Sequence, residues 1–235
     1  MKKQTVITWL ALMGVTGLVG INAALAAPFY DNFDRANSTT VGNGWVQVTT
    51  NSDNMQPQID GNRAAFYGTV PAYSTAGITH VFDPVTTVSV DLQWDRNTNQ
   101  QGNFMTFSLT GANGILDIRE KQYEGAGNYI PIQIIYNSVE VWKSIDSVTG
   151  DTAEAAYHYD VVSTATSTAL YVDGLLKWTT PDAGIGMMTS ASVGARNWAW
   201  EWHRFYADNF AATPEPTSLA LLALGGLGLL RRRRN

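Results

Sequence analysis

Between residues 44 and 212 apolar and polar positions alternate with a period of two. Val88, Val90, Leu92 and Trp94 fall on one side of an extended chain and Ser89, Asp91 and Gln93 on the other, the pattern of a half-buried antiparallel strand. Met105, Phe107 and Leu109 repeat it, as do Ile130, Ile132, Ile134 and Tyr136. The same pattern predicts strands over 44–50, 63–67, 77–82, 115–119, 139–143, 157–163, 191–195 and 198–210. Clusters of Gly, Asn, Asp, Ser and Thr separate them, residues that tolerate positive φ or cap their own backbone. In 169–178 two strand-like halves flank Asp173-Gly174, the dipeptide that fits both left-handed positions of a type I′ hairpin turn. The body shows no 3.6-residue apolar period. Many short strands spaced by turn residues predict an all-β, antiparallel β-sandwich or jelly roll.

Both ends break this pattern. Lys2 and Lys3, an apolar stretch over 7–19 and the small-x-small triplet Ala24-Leu25-Ala26 have the build of a secretory signal peptide, cut after Ala26. Its apolar stretch is shorter than the roughly 20 residues that a spanning helix needs. At the other end Pro214-Glu215-Pro216 precedes an apolar run over 219–230 and the cluster Arg231, Arg232, Arg233 and Arg234. Such a run enters the bilayer, and arginines that cannot be deprotonated hold its end in the cytoplasm. The expected organisation is therefore a signal helix over 1–26, a β-sandwich domain over 27–212, and a sorting segment with a short transmembrane helix over 213–235.

The order of Pro-Glu-Pro, apolar run and arginine tail resembles the PEP-CTERM sorting signal of Gram-negative bacteria that produce exopolysaccharide. The resemblance implies two processing partners. Signal peptidase would remove the first tag, and an exosortase, a membrane-embedded cysteine transpeptidase, would cut near Pro214 to Pro216. The inner membrane would then be a transient station, and the cell surface or extracellular matrix the destination. The body in turn resembles concanavalin A-like and laminin-G-like jelly rolls. The carriers are the Asp-Gly hairpin, the opening Asp31-Asn32-Phe33-Asp34-Arg35-Ala36-Asn37-Ser38 with Gly42-Asn43-Gly44-Trp45, and the closing Tyr206-Ala207-Asp208-Asn209-Phe210. That resemblance implies first and last strands that meet.

Charge narrows the function. The chain carries a net charge of −5, and removing the two tags lowers the basic count from 15 to 9 and the acidic count from 20 to 19. The body is thus at −10, a surface that repels phosphate backbones and argues against nucleic acid as a partner. Cations or neutral sugars suit it better. Cysteine is absent, which excludes disulfides, thiol chemistry and Cys-based metal sites.

Catalytic patterns are scarce. Glucanases of the concanavalin-like class place paired carboxylates on one strand as E-x-D-x-x-E, because same-face positions set the separation of acid and nucleophile. That pattern does not occur here. Asp91 and Asp95, with Gln93 between them, are the nearest constellation, and a solvated strand face explains them equally well. His80, His158 and His203 sit in no metal-binding or triad spacing. Trp198, Trp200 and Trp202 alternate along one expected strand and project to one side. They form either a stacking row for sugar rings or part of the core. If the parity runs on to Arg204, Tyr206 and Asp208 the row is open; a bulge near His203 would bury it. The jelly-roll resemblance further implies a structural calcium near the joined termini, with Asp31, Asn32, Asp208 and Asn209 as oxygen donors, although the same residues also cap turns. No other cofactor is expected. The first expectation is an exported, non-enzymatic polysaccharide- or matrix-binding module; the alternative is a glycan-active hydrolase or lyase using Asp91 and Asp95.

Overall fold

In the computed structural model the described residues are 26–50, 55–68, 74–95, 104–121, 132–143, 156–180, 183–197 and 204–214. The two flanking helices expected from the sequence lie outside them. The described chain forms two antiparallel sheets. One has eight strands, in the order β13 (Leu175–Thr179), β12 (Thr168–Val172), β11 (Ala156–Ser163), β6 (Thr87–Asp95), β15 (Arg204–Thr213), β4 (Arg63–Gly68) and β3 (Met55–Asp60), with β1 (Phe29–Asp31) paired to the far half of β15. The other has seven, in the order β10 (Val139–Lys143), β9 (Ile132–Tyr136), β8 (Gly114–Lys121), β7 (Phe104–Gly111), β14 (Met188–Asn197), β5 (Ser74–Val85) and β2 (Val46–Thr50).

The alternation read from the sequence decides which face of each strand is buried. Val88, Val90 and Leu92 of β6 meet Met105, Phe107 and Leu109 of β7 in one core, joined by Tyr157, Tyr159, Val161, Ile118, Ile134, Val193 and Phe205. Fully burying a side chain of this size stabilises by about 1.5–3 kcal/mol relative to leaving it in water, so a one-residue slip of any central strand is costly. A polar contact reaches across this core: the Tyr159 hydroxyl donates to Glu120 at 3.0 Å. Burial, followed by the Glu120 charge, pushes the Tyr159 hydroxyl well above its ordinary range. The Asp-Gly turn is as expected, with φ of 50° at Asp173 and 74° at Gly174. Two strands, β1 and β3, have no counterpart in the sequence reading: β1 is three residues long, and Pro57 inside β3 argues against a strand except at a sheet edge, where β3 lies.

First and last strands do meet, with Phe29 opposite Ala212 and Asp31 opposite Phe210. Asp31 is the tie. Its carboxylate accepts two bonds from the Arg35 guanidinium at 2.9 and 2.8 Å, one from the Trp45 indole at 2.8 Å and one from the Phe33 amide at 2.8 Å. Arg35 in turn donates to the Val41 carbonyl at 2.8 Å. Burial alone would raise the Asp31 pKa, but Arg35, Asn43, the Phe33 amide and Trp45 outweigh it and hold the carboxyl below its ordinary value. A depressed carboxylate contributes stability above the ordinary value, and that contribution is lost as the pH falls through the folded-state value. Asp31→Ala leaves a guanidinium and an indole N–H without their acceptor and should cost about 3 kcal/mol in denaturant unfolding. Asp31→Asn should also flatten the acid limb of the stability-versus-pH curve.

Candidate functional site

Each sheet has a free outer face, and the two differ. On the seven-stranded sheet the outward positions of β2, β5, β14, β7 and β8 line up in three rungs across the strands. The first is Thr50, Thr75, Arg196 and Phe104; the second Val48, Gly77, Gly194, Thr106 and Arg119; the third Val46, Thr79, Ser192, Ser108 and Asp117. The middle rung has no side chains at its centre. A Cβ on Gly194 would lie 2.8 Å from the Ala76 carbonyl oxygen and 3.2 Å from the Gly77 Cα, so the two backbones approach too closely for any other residue. The consequence is a trough of about 240 Å³.

Its lining is mainly apolar and includes Val48, Phe104 and Val193, with the hydroxyls of Thr75, Thr79, Thr106 and Ser192 and the side chain of Arg196 among them. Thr79 and Ser192 share a hydrogen bond of 2.7 Å, and Ser108 donates to Asp117. Phe104 is flanked by two cations, the Arg119 guanidinium at 5.2 Å and the Arg196 guanidinium at 5.5 Å from its ring centre. Such contacts fix the plane of a guanidinium. The described lining residues include no carboxylate. Donors and acceptors of this type, beside an aromatic ring and an apolar margin, suit a polyhydroxylated ligand laid across the strands.

The outer face of the eight-stranded sheet is acidic. Asp91 of β6 stands between His158 of β11 and Asp208 of β15 in register. Its carboxylate pairs with His158 Nδ1 at 2.5 Å and accepts from Asn209 Nδ2 at 2.7 Å, while His158 Nε2 lies 3.2 Å from Asp160. Burial disfavours the imidazolium, but the bond to Asp91 and the charges of Asp160 and Asp91 more than offset it, and the His158 pKa is raised. Burial raises the Asp208 carboxyl, a shift only partly opposed by the Asn209 amide and reinforced by the Asp91 charge.

The sequence candidates are distributed as follows. Asp91 faces outward on β6; Asp95 is four residues further along the strand, about 13 Å between Cα atoms, and its side chain lies outside the described residues. Retaining and inverting glycosidases hold their carboxyl groups roughly 5–9.5 Å apart. Of the four calcium candidates, Asp31 is buried on Arg35, Asn32 caps the Asp34 amide at 3.2 Å, and Asp208 and Asn209 gather at Asp91 instead. Among the described residues no group of three or more His, Asp or Glu has metal-holding geometry. Trp198, Trp200 and Trp202 lie outside the described residues, as do Ala24, Glu215, Pro216 and Arg231 to Arg234; Ala26 and Pro214 sit just beyond β1 and β15. Where the chain resumes, Phe205 and Ala207 face the core, Tyr206 and Asp208 the outer side, and a bulge lies between Asp208 and Ala211. Sequence reasoning missed the trough. Its one signal was Gly77 and Gly194 inside strand patterns.

With this geometry in hand, likeness to known proteins becomes informative. The model of the PEP-CTERM protein-sorting motif matches residues 212–234. The chain carries a PEP-CTERM sorting signal. That motif begins inside β15, whose Ala212 is fully buried. No curated protein matches the chain. Solved structures do. A Bacillus licheniformis β-glucanase superposes with a TM-score of 0.59 at 15% identity, covering 80% of this chain and 99% of that one. A β-1,3-1,4-glucanase from a mouse hindgut metagenome gives 0.57 at 14%, over 80% and 99%. The Emp47p carbohydrate recognition domain gives 0.55 at 11%, over 83% and 100%. At these identities the likeness shows the fold alone, a concanavalin A-like jelly roll.

The His158 cluster makes a testable statement about stability. A raised imidazole contributes stability that is fully present below its ordinary value near 6.5 and lost as the pH rises through the folded-state value. Thermal unfolding from pH 5 to 8 should show a decline in Tm over this window for the parent protein, and His158→Gln should remove it.

Proposed function

We propose that this PEP-CTERM protein is an exported surface or matrix component that binds a polysaccharide in the trough of its seven-stranded sheet and does not cleave it. The sorting motif implies export, passage through the membrane and handling by an exosortase-type enzyme. The observation that carries the binding reading is the trough, a mainly apolar channel with an aromatic ring, four hydroxyl side chains and no described carboxylate among its lining. The neighbours in fold include glucanases and a carbohydrate recognition domain. Paired carboxylates set for acid and nucleophile are what hydrolysis would require.

A hydrolase or lyase remains the alternative, and the raised Asp208 carboxyl beside Asp91 is the feature that favours it. Against it, Asp91 is already engaged by His158 and Asn209.

Affinity electrophoresis of the purified protein against a panel of polysaccharides, with a reducing-sugar assay on the same mixtures, separates the two. The expected result is retardation without sugar release. Thr106→Phe, which fills the trough from a position where a side chain already stands, should reduce retardation at least tenfold, whereas Asp91→Asn should not. Sugar release that Asp91→Asn abolishes would reverse the assignment.

A further inference from the structure

We infer that β2 is a self-association edge, through which a second copy of this chain pairs antiparallel and extends the seven-stranded sheet. Among the described strands five lie at an edge, and four of them carry a feature that discourages further pairing. β1 is three residues long, and β3 contains Pro57. β10 bulges at Val141, between Glu140 and Trp142, and β13 bulges at Lys177, between Leu176 and Trp178. β2 has none of these. Its sequence, Val-Gln-Val-Thr-Thr, is uncharged and suited to a strand, and all five residues keep an unbroken register with β5. Among the described residues β5 is the one strand hydrogen-bonded to it. Outward along this margin stand Val48, 53% exposed, Val46, 62%, and Val81 of β5, 73%. They form an apolar strip beside the open edge.

A second copy fits because the edge is its own complement. A two-fold axis through Val48 sets Val48 opposite its own copy, Val46 opposite Thr50 and Gln47 opposite Thr49, so the outward pairs are all β-branched and no like charges meet. The outward neighbours on β5, Thr75, Gly77, Thr79 and Val81, are uncharged too. The carboxylates of Asp91, Asp160 and Asp208 gather on the other sheet. The edge is also held in place before it pairs. Gln47 donates to the carbonyls of Thr39 at 3.1 Å and Pro57 at 2.7 Å and accepts the Val41 amide at 3.3 Å, which lowers the ordering cost of association. In this register the rung Thr106, Gly194, Gly77 and Val48 runs on into the same rung of the second copy in reverse order. The two glycine floors then lie on one line about four strand spacings, roughly 19 Å, apart. Five residues make a short seam, so the pairing is reversible and favours a crowded surface layer over dilute solution.

The test is sedimentation velocity of the processed protein over a wide range of concentration, with single-cysteine variants oxidised in parallel. The parent protein should pass from monomer to dimer as concentration rises. Val48→Lys and Val48→Glu should each weaken self-association about tenfold or more, because they set like charges face to face on the axis. Mixed in equal amounts, the two variants should associate again. The chain contains no cysteine, so Val48→Cys supplies a lone thiol that should oxidise to a covalent dimer. Leu176→Cys, at a side chain 55% exposed on the bulged edge β13, should not. Unfolding curves that match the parent protein would show that the variants are folded. A monomer at every concentration, association indifferent to Val48→Lys, or a covalent dimer formed as readily by Leu176→Cys as by Val48→Cys would overturn the inference. The readout is mass and stands apart from glycan binding: a strictly monomeric protein that polysaccharide still retards would overturn the pairing and leave the binding reading in place.

Discussion

Burying one face of each sheet against the other is the constraint on which the rest of this structure depends. A period of two gives every central strand one apolar face, and the only way to remove both sets from water is to press the sheets together. Val88, Val90 and Leu92 meet Met105, Phe107 and Leu109 for this reason. The same alternation pushes the intervening residues outward, so the outer faces are filled by whatever the core does not need. Function is written on those leftovers.

The ends of the domain are tied as firmly as its centre. Asp31 joins the first strand to Arg35 and Trp45, and β1 lies along β15 as far as Phe29 opposite Ala212. The described chain therefore begins and ends on neighbouring strands. The sorting motif starts at a residue that belongs to the core. Because β5 passes to β6 through Thr86 alone, Val85 and Thr87 mark this same end, and Thr75, with Arg196 and Phe104 beside it, lies about ten residues up β5, roughly 33 Å away.

The two outer faces divide the electrostatic work. Asp91, Asp160, His158 and Asp208 crowd one face, where a doubly bonded imidazole offsets part of the carboxylate repulsion. The opposite face carries a mainly apolar trough over a bare glycine floor, with hydroxyls and Arg196 in its lining. A net charge describes neither.

Much of the fold was legible in the chain itself. Alternation located most of the long strands, Asp173-Gly174 announced its hairpin, and the Pro-Glu-Pro, apolar and arginine order identified the sorting signal, because each is a local pattern with a local physical cause. β3 was obscured by Pro57, which sits in a strand only because β3 is an edge, and the three-residue strand β1 was not legible, since Phe29 takes its place only through Ala212, far along the chain. The trough was hidden for the same reason. Thr106, Arg119, Gly77 and Gly194 are scattered over more than a hundred residues and share a rung only after β5, β14, β7 and β8 are laid edge to edge. Likewise Asp31 and Asp208 looked like members of one acidic group until register placed one on Arg35 and the other beside Asp91. Local period determined which residues face inward; strand order and register, which depend on long-range pairing, decided which outward residues stand together.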